Sequence, residues 1–430
     1  MASNLWGNVY YKNSFAGILS QEAGGRYIFT YDESYLHHSL PAISYTLPLQ
    51  VEPHLSEHGL HPFFDNLCAE GWLKNAQARA LSLRRGDRFS LLLAFGKDLA
   101  GAVSILDPDP IRKIEIDHND PDNIAALTSR SSLSGIQPKL GAIKEGRVFR
   151  PAGRDERATY IAKLSSPTLP DILGLEYITT RACAALLPKD LVVEMTLAPL
   201  QGISKRALLI KRFDRSEDGK QIHFEEFNQL LGNHSDDKYE ACYEDMADFI
   251  IQNRDICLRA ECDTLFRRIM ACILTGNTDA HLKNFAMEHT HIGLRLTPCY
   301  DLVGTACYRQ YQTLALGIEG IRNMTIGSIG PKNIVRLGKL FGLPDKAIML
   351  AVSDLASRLN RAHSAVKASK NVDQHIKEKL HQQIKKDGTE YSTQLGLTCQ
   401  RSDKAAQRTK DLSASFGRYS WIKSTDGFSL

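Results

Sequence analysis

The chain has 430 residues, 43% hydrophobic and 24% charged, with a formal net charge of +4. That length exceeds one ordinary core and suggests two or three domains, while the balance excludes a wholly disordered chain. No run reaches the roughly 18–20 apolar residues of a membrane span, and so small a net charge does not by itself indicate nucleic-acid binding.

The start, MASNLWGNVYYKNSFAG, lacks a basic segment leading into an apolar one, so the expectation is a cytoplasmic protein with no secretory signal and no membrane partner. The nine cysteines include no CxxC pair. Cys257 and Cys262 are the closest, and no His or second Cys pair completes a zinc pattern nearby. Free thiols in a reducing compartment follow.

Residues 1–108 read as a small mixed domain. GRYIFTYD (Gly25 to Asp32) has the β-branched and aromatic content of a strand. HPFFDNLCAEGWLKNAQARAL (His61 to Leu81) takes helical spacing in its second half. LDPDPIRK, with two prolines, marks a boundary. Residues 128–214 alternate strand and helix. ATYIAKL suits a strand and carries Lys163. DILGLEYITTRACAALL opens on Asp171, has Glu176 near its start and is stopped by Pro188, as a helix would be. LVVEMTLAPL and KRALLIKRF follow as strands joined through QGIS in a hairpin. Residues 215–365 turn to helix after helix, including DTLFRRIMACILTG. From 366 to 430 the pattern fades into a basic extension of open structure. Arg361 to Leu430 holds 13 Lys/Arg against 7 Asp/Glu, and with little aromatic interleaving this reads first as solvated surface.

The chemistry concentrates in LTGNTDAHLKNFAM (Leu274 to Met287). Asp279 and Asn284 stand as D-A-H-L-K-N, followed by an apparent hairpin and then YDL with Asp301. Phosphoryl transfer needs such a set. One carboxylate takes the proton of the attacking hydroxyl, while an amide oxygen and a second carboxylate hold magnesium against the phosphates. Lys283 is expected near the transferred phosphate. A lone D-x4-N also fits a polar loop capped by Asp279, and His281 fits a hydrogen-bonded loop residue better than a proton shuttle. The upstream order strengthens the phosphoryl-transfer reading: strand Lys163, helix Glu176, hairpin, then the polar loop. In kinases a strand lysine grips the α/β-phosphates and a helix glutamate orients it. Lys211, Arg212 and Phe213 end the last strand where backbone groups meet an adenine edge. SSLSGIQPKL (Ser131 to Leu140) is neither G-x-G-x-x-G nor a Walker sequence, yet a small-residue loop with Gly135 can turn N–H groups toward phosphate.

SLSGIQPKL, YIAKL, LEY, KRFDR, DKYE, GNTDAHLKNF and LTPCYDL stand in the order that resembles HipA-type serine/threonine kinases, toxins of bacterial toxin–antitoxin pairs. YTLPLQ and HPFFDNLCAEG resemble that family's N-terminal subdomain, so the likeness covers roughly residues 8 to 365. It implies an α+β, two-lobed protein-kinase-like fold with a small N-terminal mixed subdomain and an all-helical C-lobe. It also implies ATP and Mg2+ as cofactors. On this resemblance Asp279 is the catalytic base, and Asn284 and Asp301 are the metal ligands. Lys163, Lys211, Arg212, Phe213, His281, Lys283 and Tyr300 contact nucleotide, and Glu176 orients Lys163. Ser134, Gly135, Ile136, Gln137, Pro138 and Lys139 form the ATP-covering loop, with Ser132 and Ser134 as autophosphorylation sites. The S-x-S pair is similar to a subgroup whose N-terminal subdomain is a separate protein, whereas here it is fused. The resemblance further implies a HipB-like helix-turn-helix antitoxin that brings the complex to DNA, and an aminoacyl-tRNA synthetase as substrate. The basic tail departs from the pattern and is a second candidate for DNA contact. The fused domain and that tail motivate a competing expectation: a kinase-shaped scaffold acting as antitoxin or co-repressor with little catalysis.

Overall fold

The computed structural model describes residues 5–108 and 137–394, apart from 23, 39, 85, 154, 155 and 167. Ser132, Ser134, Gly135 and Ile136, and the chain beyond 394, lie outside the described residues.

The N-terminal domain is built on an antiparallel sheet. Its strands are β1 (Trp6–Tyr11), β2 (Ser14–Gln21), β3 (Tyr27–Tyr31), β4 (His54–Ser56) and β5 (Val103–Leu106), ordered β4-β3-β2-β1-β5. Side chains alternate across the sheet, so Val9, Tyr11, Leu19, Phe29 and Tyr31 share one buried face. That face packs on Phe63, Phe64, Phe89 and Leu92 from the helices Pro62–Asn66 and Arg88–Phe95.

The middle of the chain closes into a small barrel. Strands β6 (Lys139–Glu145), β7 (Val148–Pro151), β8 (Tyr160–Lys163), β9 (Met195–Leu200) and β10 (Ser204–Lys211) run in the order β10-β8-β6-β7-β9. Its core contains Leu140, Ala142, Phe149, Ala162, Leu200, Ala207 and Leu209, three of them small enough for so narrow a ring. The helix Ile172–Leu186 lies between barrel and helical lobe. Leu173 packs with Leu208 and Ile210 of the barrel, while Ile178, Ala182 and Leu186 enter the main core. Asp171 does not cap this helix. Its φ is +62°, it makes no capping bond, and its carboxylate pairs with His375 at 3.3 Å.

The C-lobe is not all-helical. Strands β11 (Phe224–Glu226), β12 (Ala286–Thr290) and β13 (Gly293–Leu296) form a three-stranded sheet beside the helices. The β12–β13 hairpin returns the chain from the polar loop toward Asp301. Phe224 and Glu225 are buried, so their backbone groups need the ladder that β12 provides.

The region from residue 366, whose structure the sequence leaves undecided, is helical over much of its described part. The helix Leu359–Ala368 crosses that boundary and the helix Gln374–Gln394 follows it. Ile376, Leu380 and Ile384, one turn apart, are buried in the main core. The Lys- and Gln-rich residues between them obscure this stripe in the sequence.

Candidate active site

The polar loop hangs from the helix Ala260–Thr275, whose Leu265, Phe266, Ile269 and Ile273 anchor it in the core. Gly276, at φ +73°, ends that helix in a left-handed cap. Its N–H donates to Ile273 O at 3.1 Å, and Asn277 N–H donates to Cys272 O at 2.8 Å. A Cβ here would also come within 2.7 Å of Gln383 from the last described helix. The chain then turns tightly through Leu282–Asn284, with Asn284 N–H donating to His281 O at 2.9 Å. Asn284 Nδ2 donates to Asp279 O at 2.8 Å. The four-residue spacing of D-x4-N is thus the span of one closed turn, and Oδ1 remains the Asn284 atom able to bind a cation.

Lys163, at the end of β8, donates to Glu176 Oε1 at 2.6 Å and also to Asp301. Burial opposes the charge on Lys163, but the Asp301 and Glu176 carboxylates outweigh it and hold its pKa above the ordinary value. Burial likewise works against Asp301, and Lys163 and Lys139 outweigh it, keeping this carboxyl well below the usual range. Asp301 has a φ of +54°, a left-handed conformation unusual for a residue with a Cβ. Glu176 is fully buried and its pKa is raised by that burial. Its Oε2 has no hydrogen-bond partner.

Lys139 was expected in the ATP-covering loop; it instead opens β6 directly across from Lys163. Two like charges facing across a ladder repel. Burial, then Lys163, lowers the Lys139 pKa to about 8. No carboxylate among the described residues pairs with it within ion-pair distance. Gln137, just before it, donates from Nε2 to Leu164 O at 2.7 Å, and Pro138 O accepts from Leu164 N–H.

Asp279 opens to the cleft, yet the protein around it removes much of its hydration. That desolvation, with the nearby Asp301 charge, raises its pKa to about 6. Tyr239 donates its hydroxyl to Asp279 Oδ1 at 3.1 Å. Asp279, Asn284, Asp301, Lys139 and Lys163 all line one cleft of about 520 Å³, with Tyr239, Tyr308, Tyr311 and Arg322 toward its mouth. An adjoining compartment of about 130 Å³ shares four of those residues and is lined also by Ile161, Val193, Ile210, Phe213 and Tyr300. The Phe213 and Tyr300 rings sit 5.5 Å apart.

The other expected residues line these spaces too, His281 the larger and Lys211, Arg212 and Lys283 the smaller, but several of their polar groups are already engaged. Lys283 is not free to meet a transferred phosphate. It is 1% exposed, and its ammonium donates to Glu70 Oε1 at 2.6 Å with Glu226 at 3.4 Å. Arg212 pairs its guanidinium with Asp98 and Asp214, at 2.9 and 2.7 Å. The N–H groups of Lys211 and Arg212 are taken by Glu194 O and Thr159 O, so neither is a donor for an adenine edge. His281 is buried, with its ring edge-on to Tyr239. Burial, then Lys238, lowers its pKa to about 3, so it is neutral at pH 7. Sequence reasoning did not single out Tyr239, Lys238, Glu70 or Glu226. DKYE and HPFFDNLCAEG contained three of them, but nothing local indicates that they converge on Asp279.

Two family models match the chain: HipA N-terminal domain over residues 7–106, and HipA-like C-terminal domain over residues 131–378. The serine/threonine-protein kinase toxin HipA of Shewanella oneidensis is 26% identical over 359 residues, 75% of this chain and 80% of that protein. Y4dM of Sinorhizobium fredii is 27% identical over 374 residues, 80% of this chain and 87% of that protein. A solved complex of S. oneidensis HipA, HipB and operator DNA matches with a TM-score of 0.69 at 22% identity, covering 88% of this chain and 97% of that one; it speaks for the fold. Within the described residues no helix is long and apolar enough to cross a membrane. The C-terminal match alone spans more than half of the chain, and this protein therefore belongs to the HipA family, with that family's N-terminal and C-terminal domains in one polypeptide.

Proposed function

We propose that this protein is an ATP- and magnesium-dependent serine/threonine kinase that arrests growth as the toxin of a toxin–antitoxin pair. The observation that carries the reading is the meeting of Asp279, Asn284 and Asp301 with Lys163 and Lys139 around one cleft. The residues present fit the nucleotide and its metal. Asn284 and Asp301 offer hard oxygen ligands of the kind magnesium prefers, and Lys139 is a buried cation that no carboxylate among the described residues pairs with at ion-pair distance. The adjoining compartment, between Ile161, Val193, Ile210 and Phe213, suits a flat apolar base. Magnesium, held by Asn284 and Asp301, would supply neutralisation of the phosphate charge.

Asp279 takes the proton of the attacking hydroxyl. A pKa of about 6 leaves it ionised at neutral pH while keeping it basic. Lys163 stays anchored to Glu176 and exchanges its Asp301 contact for phosphate oxygens. Lys139 adds a second cation on the same side, and Asn284 holds the Asp279 carbonyl so that base and metal ligand move together. His281 and Lys283 act as loop structure and Tyr300 as a wall of the base compartment. The proposal extends to Ser132 or Ser134 as autophosphorylated residues and to an aminoacyl-tRNA synthetase as the protein substrate. A HipB-like antitoxin is the proposed partner, supported by the S. oneidensis assembly of HipA with HipB and operator DNA.

Cells expressing the wild type or Asp279→Asn test this through a survey of phosphorylated proteins, with purified protein incubated with ATP and magnesium beside it. Phosphoserine on the chain and on a translation enzyme, present only with Asp279, is expected. Equal phosphorylation by the Asn variant would sink the assignment.

A further inference from the structure

Glu70 stands at the N-terminal end of the helix Gly71–Ala80 but makes no capping bond there. Its carboxylate instead leaves the N-terminal domain and meets the helical lobe. Oε1 accepts from Lys283 Nζ at 2.6 Å and from Ser235 Oγ at 2.5 Å. Oε2 accepts from Lys238 Nζ at 2.7 Å. Burial works against this charge, yet Lys283 and Lys238 outweigh it and hold the carboxyl well below the usual range.

Each clamped lysine is the chain neighbour of a residue that touches Asp279. Lys238 precedes Tyr239, whose hydroxyl donates to Asp279 Oδ1 at 3.1 Å. Lys283 precedes Asn284, whose Nδ2 donates to Asp279 O at 2.8 Å. Two further bonds tie the pieces together: Lys283 Nζ donates to Asn66 O at 3.2 Å, and Leu282 N–H to Lys238 O at 3.3 Å. One carboxylate of the N-terminal domain thus fixes both segments that hold the Asp279 side chain and backbone.

We propose that Glu70 is a positioning residue for phosphoryl transfer, and that the N-terminal domain braces the loop carrying Asp279 through it. The catalytic consequence rests on the kinase reading above; the brace itself does not. It gives the fused domain an activating role. Without Glu70 the two lysines would lose their shared carboxylate. Among the described residues the other carboxylate within ion-pair distance of either is Glu226, 3.4 Å from Lys283, and burial raises its pKa to about 7, so it is a weak substitute. Repulsion between the lysines would part Tyr239 and Asn284 and release Asp279 from both sides.

The test uses full-length protein carrying Glu70→Gln, with Glu70→Asp as a second variant that keeps the charge but is too short to reach both lysines. Glu70→Gln should lower kcat by about 10- to 100-fold through misplacement of the base, with KM for ATP within about twofold, because Lys163, Asp301 and Lys139 make no contact with Glu70. Amide exchange should rise across residues 278–285 while β6 and β8 keep their protection. Glu70→Asp should fall between, and it carries the test should the Gln variant fail to fold. Folded variants with wild-type kcat and wild-type exchange in that loop would overturn the proposal, as would a change confined to KM. If the wild type transfers no phosphate, the kinase reading fails, and the exchange measurement still decides the brace.

Discussion

Two charge clusters lie close together in this molecule and differ in how their charges are balanced. In one, Asp98 of the N-terminal domain and Asp214 face Arg212 and Arg215. Arg212 reaches both carboxylates, and so does Arg215, at 2.6 to 2.9 Å. Leu99 O and Gly101 O take further guanidinium protons. Burial works against Asp214, but Arg212 and Arg215 outweigh it and bring its pKa to about 2. In the other, Lys139 and Lys163 face Glu176, Asp301 and Asp279, and the pKa values spread apart, Asp301 well down, Asp279 up to about 6, Lys139 down to about 8. Among the described residues Glu176 keeps an oxygen without a partner, and no carboxylate lies within ion-pair distance of Lys139. The same residue types therefore serve two ends. A closed, balanced box joins domains, and an open, unbalanced one waits for a charged ligand.

The contrast breaks most sharply at Asp279. Asp279→Asn should reduce phosphate transfer by about 10³-fold, within the range for loss of a positioned base, while nucleotide affinity measured by calorimetry stays near wild type. A variant that kept transfer within tenfold would mean that the open cluster performs no proton chemistry.

Stability should respond in the opposite order. Arg212→Ala leaves Asp98 and Asp214 buried with one cation between them and should lower unfolding free energy by about 3–5 kcal/mol, read from a urea melt. Lys163→Met should abolish nucleotide binding but change stability by no more than about 1 kcal/mol, because Glu176, already raised, takes up a proton when its partner is gone. Comparable losses from both substitutions would erase the distinction between box and cleft.

The two clusters also differ in how far the sequence disclosed them. The D-x4-N pair was legible because Asp279 and Asn284 close one short turn, so spacing alone fixes their relation. Lys163 and Glu176 were legible because strand and helix follow each other directly. The role of Lys283 was not. Its partner Glu70 lies 213 residues earlier, and only the packing of two domains brings them together. The pairing of Arg212 was not legible for the same reason, since its side chain answers to Asp98 across a domain boundary. Lys139 read as loop because barrel closure, not local pattern, makes it a strand. Helical periodicity around the loop drew the C-lobe as all-helical; the hairpin after the loop was legible and is β12–β13, whereas the short β11 that pairs with it was not. The stripe at Ile376, Leu380 and Ile384 disappeared among lysines and glutamines whose average composition resembles a tail.

The pH response gives a finer measure of the open cluster. The proposed mechanism needs Asp279 as carboxylate, so kcat/KM should fall about tenfold between pH 7 and pH 5, with a midpoint near 6, while loss of the Lys139 charge above about 8 should lower it on the alkaline side. The balanced box does not titrate in this window, since Asp214 is held at about 2 and Asp98 is also lowered, burial notwithstanding, by Arg212 and Arg215. A fall in activity that tracked a fall in Tm over the same interval would point to unfolding rather than to Asp279.

The smallest expected effect is on stability, at the same residue. A carboxyl whose folded pKa is raised binds its proton more tightly in the folded state, so above that pKa its ionisation destabilises the fold; below the unfolded value, near 4, both states are protonated and the penalty disappears. Asp279→Asn removes this charge while keeping the shape. It should therefore stabilise the protein at pH 7.5 by about 1 kcal/mol, a modest figure because the carboxylate opens to the cleft and solvent screens it. The gain should persist down to about pH 6 and shrink as the pH falls toward 4. Paired melts of wild type and variant across that range read it directly. A variant less stable than wild type at neutral pH would mean that Asp279 belongs with the satisfied charges of the box, and that the cleft holds no strain for a substrate to relieve.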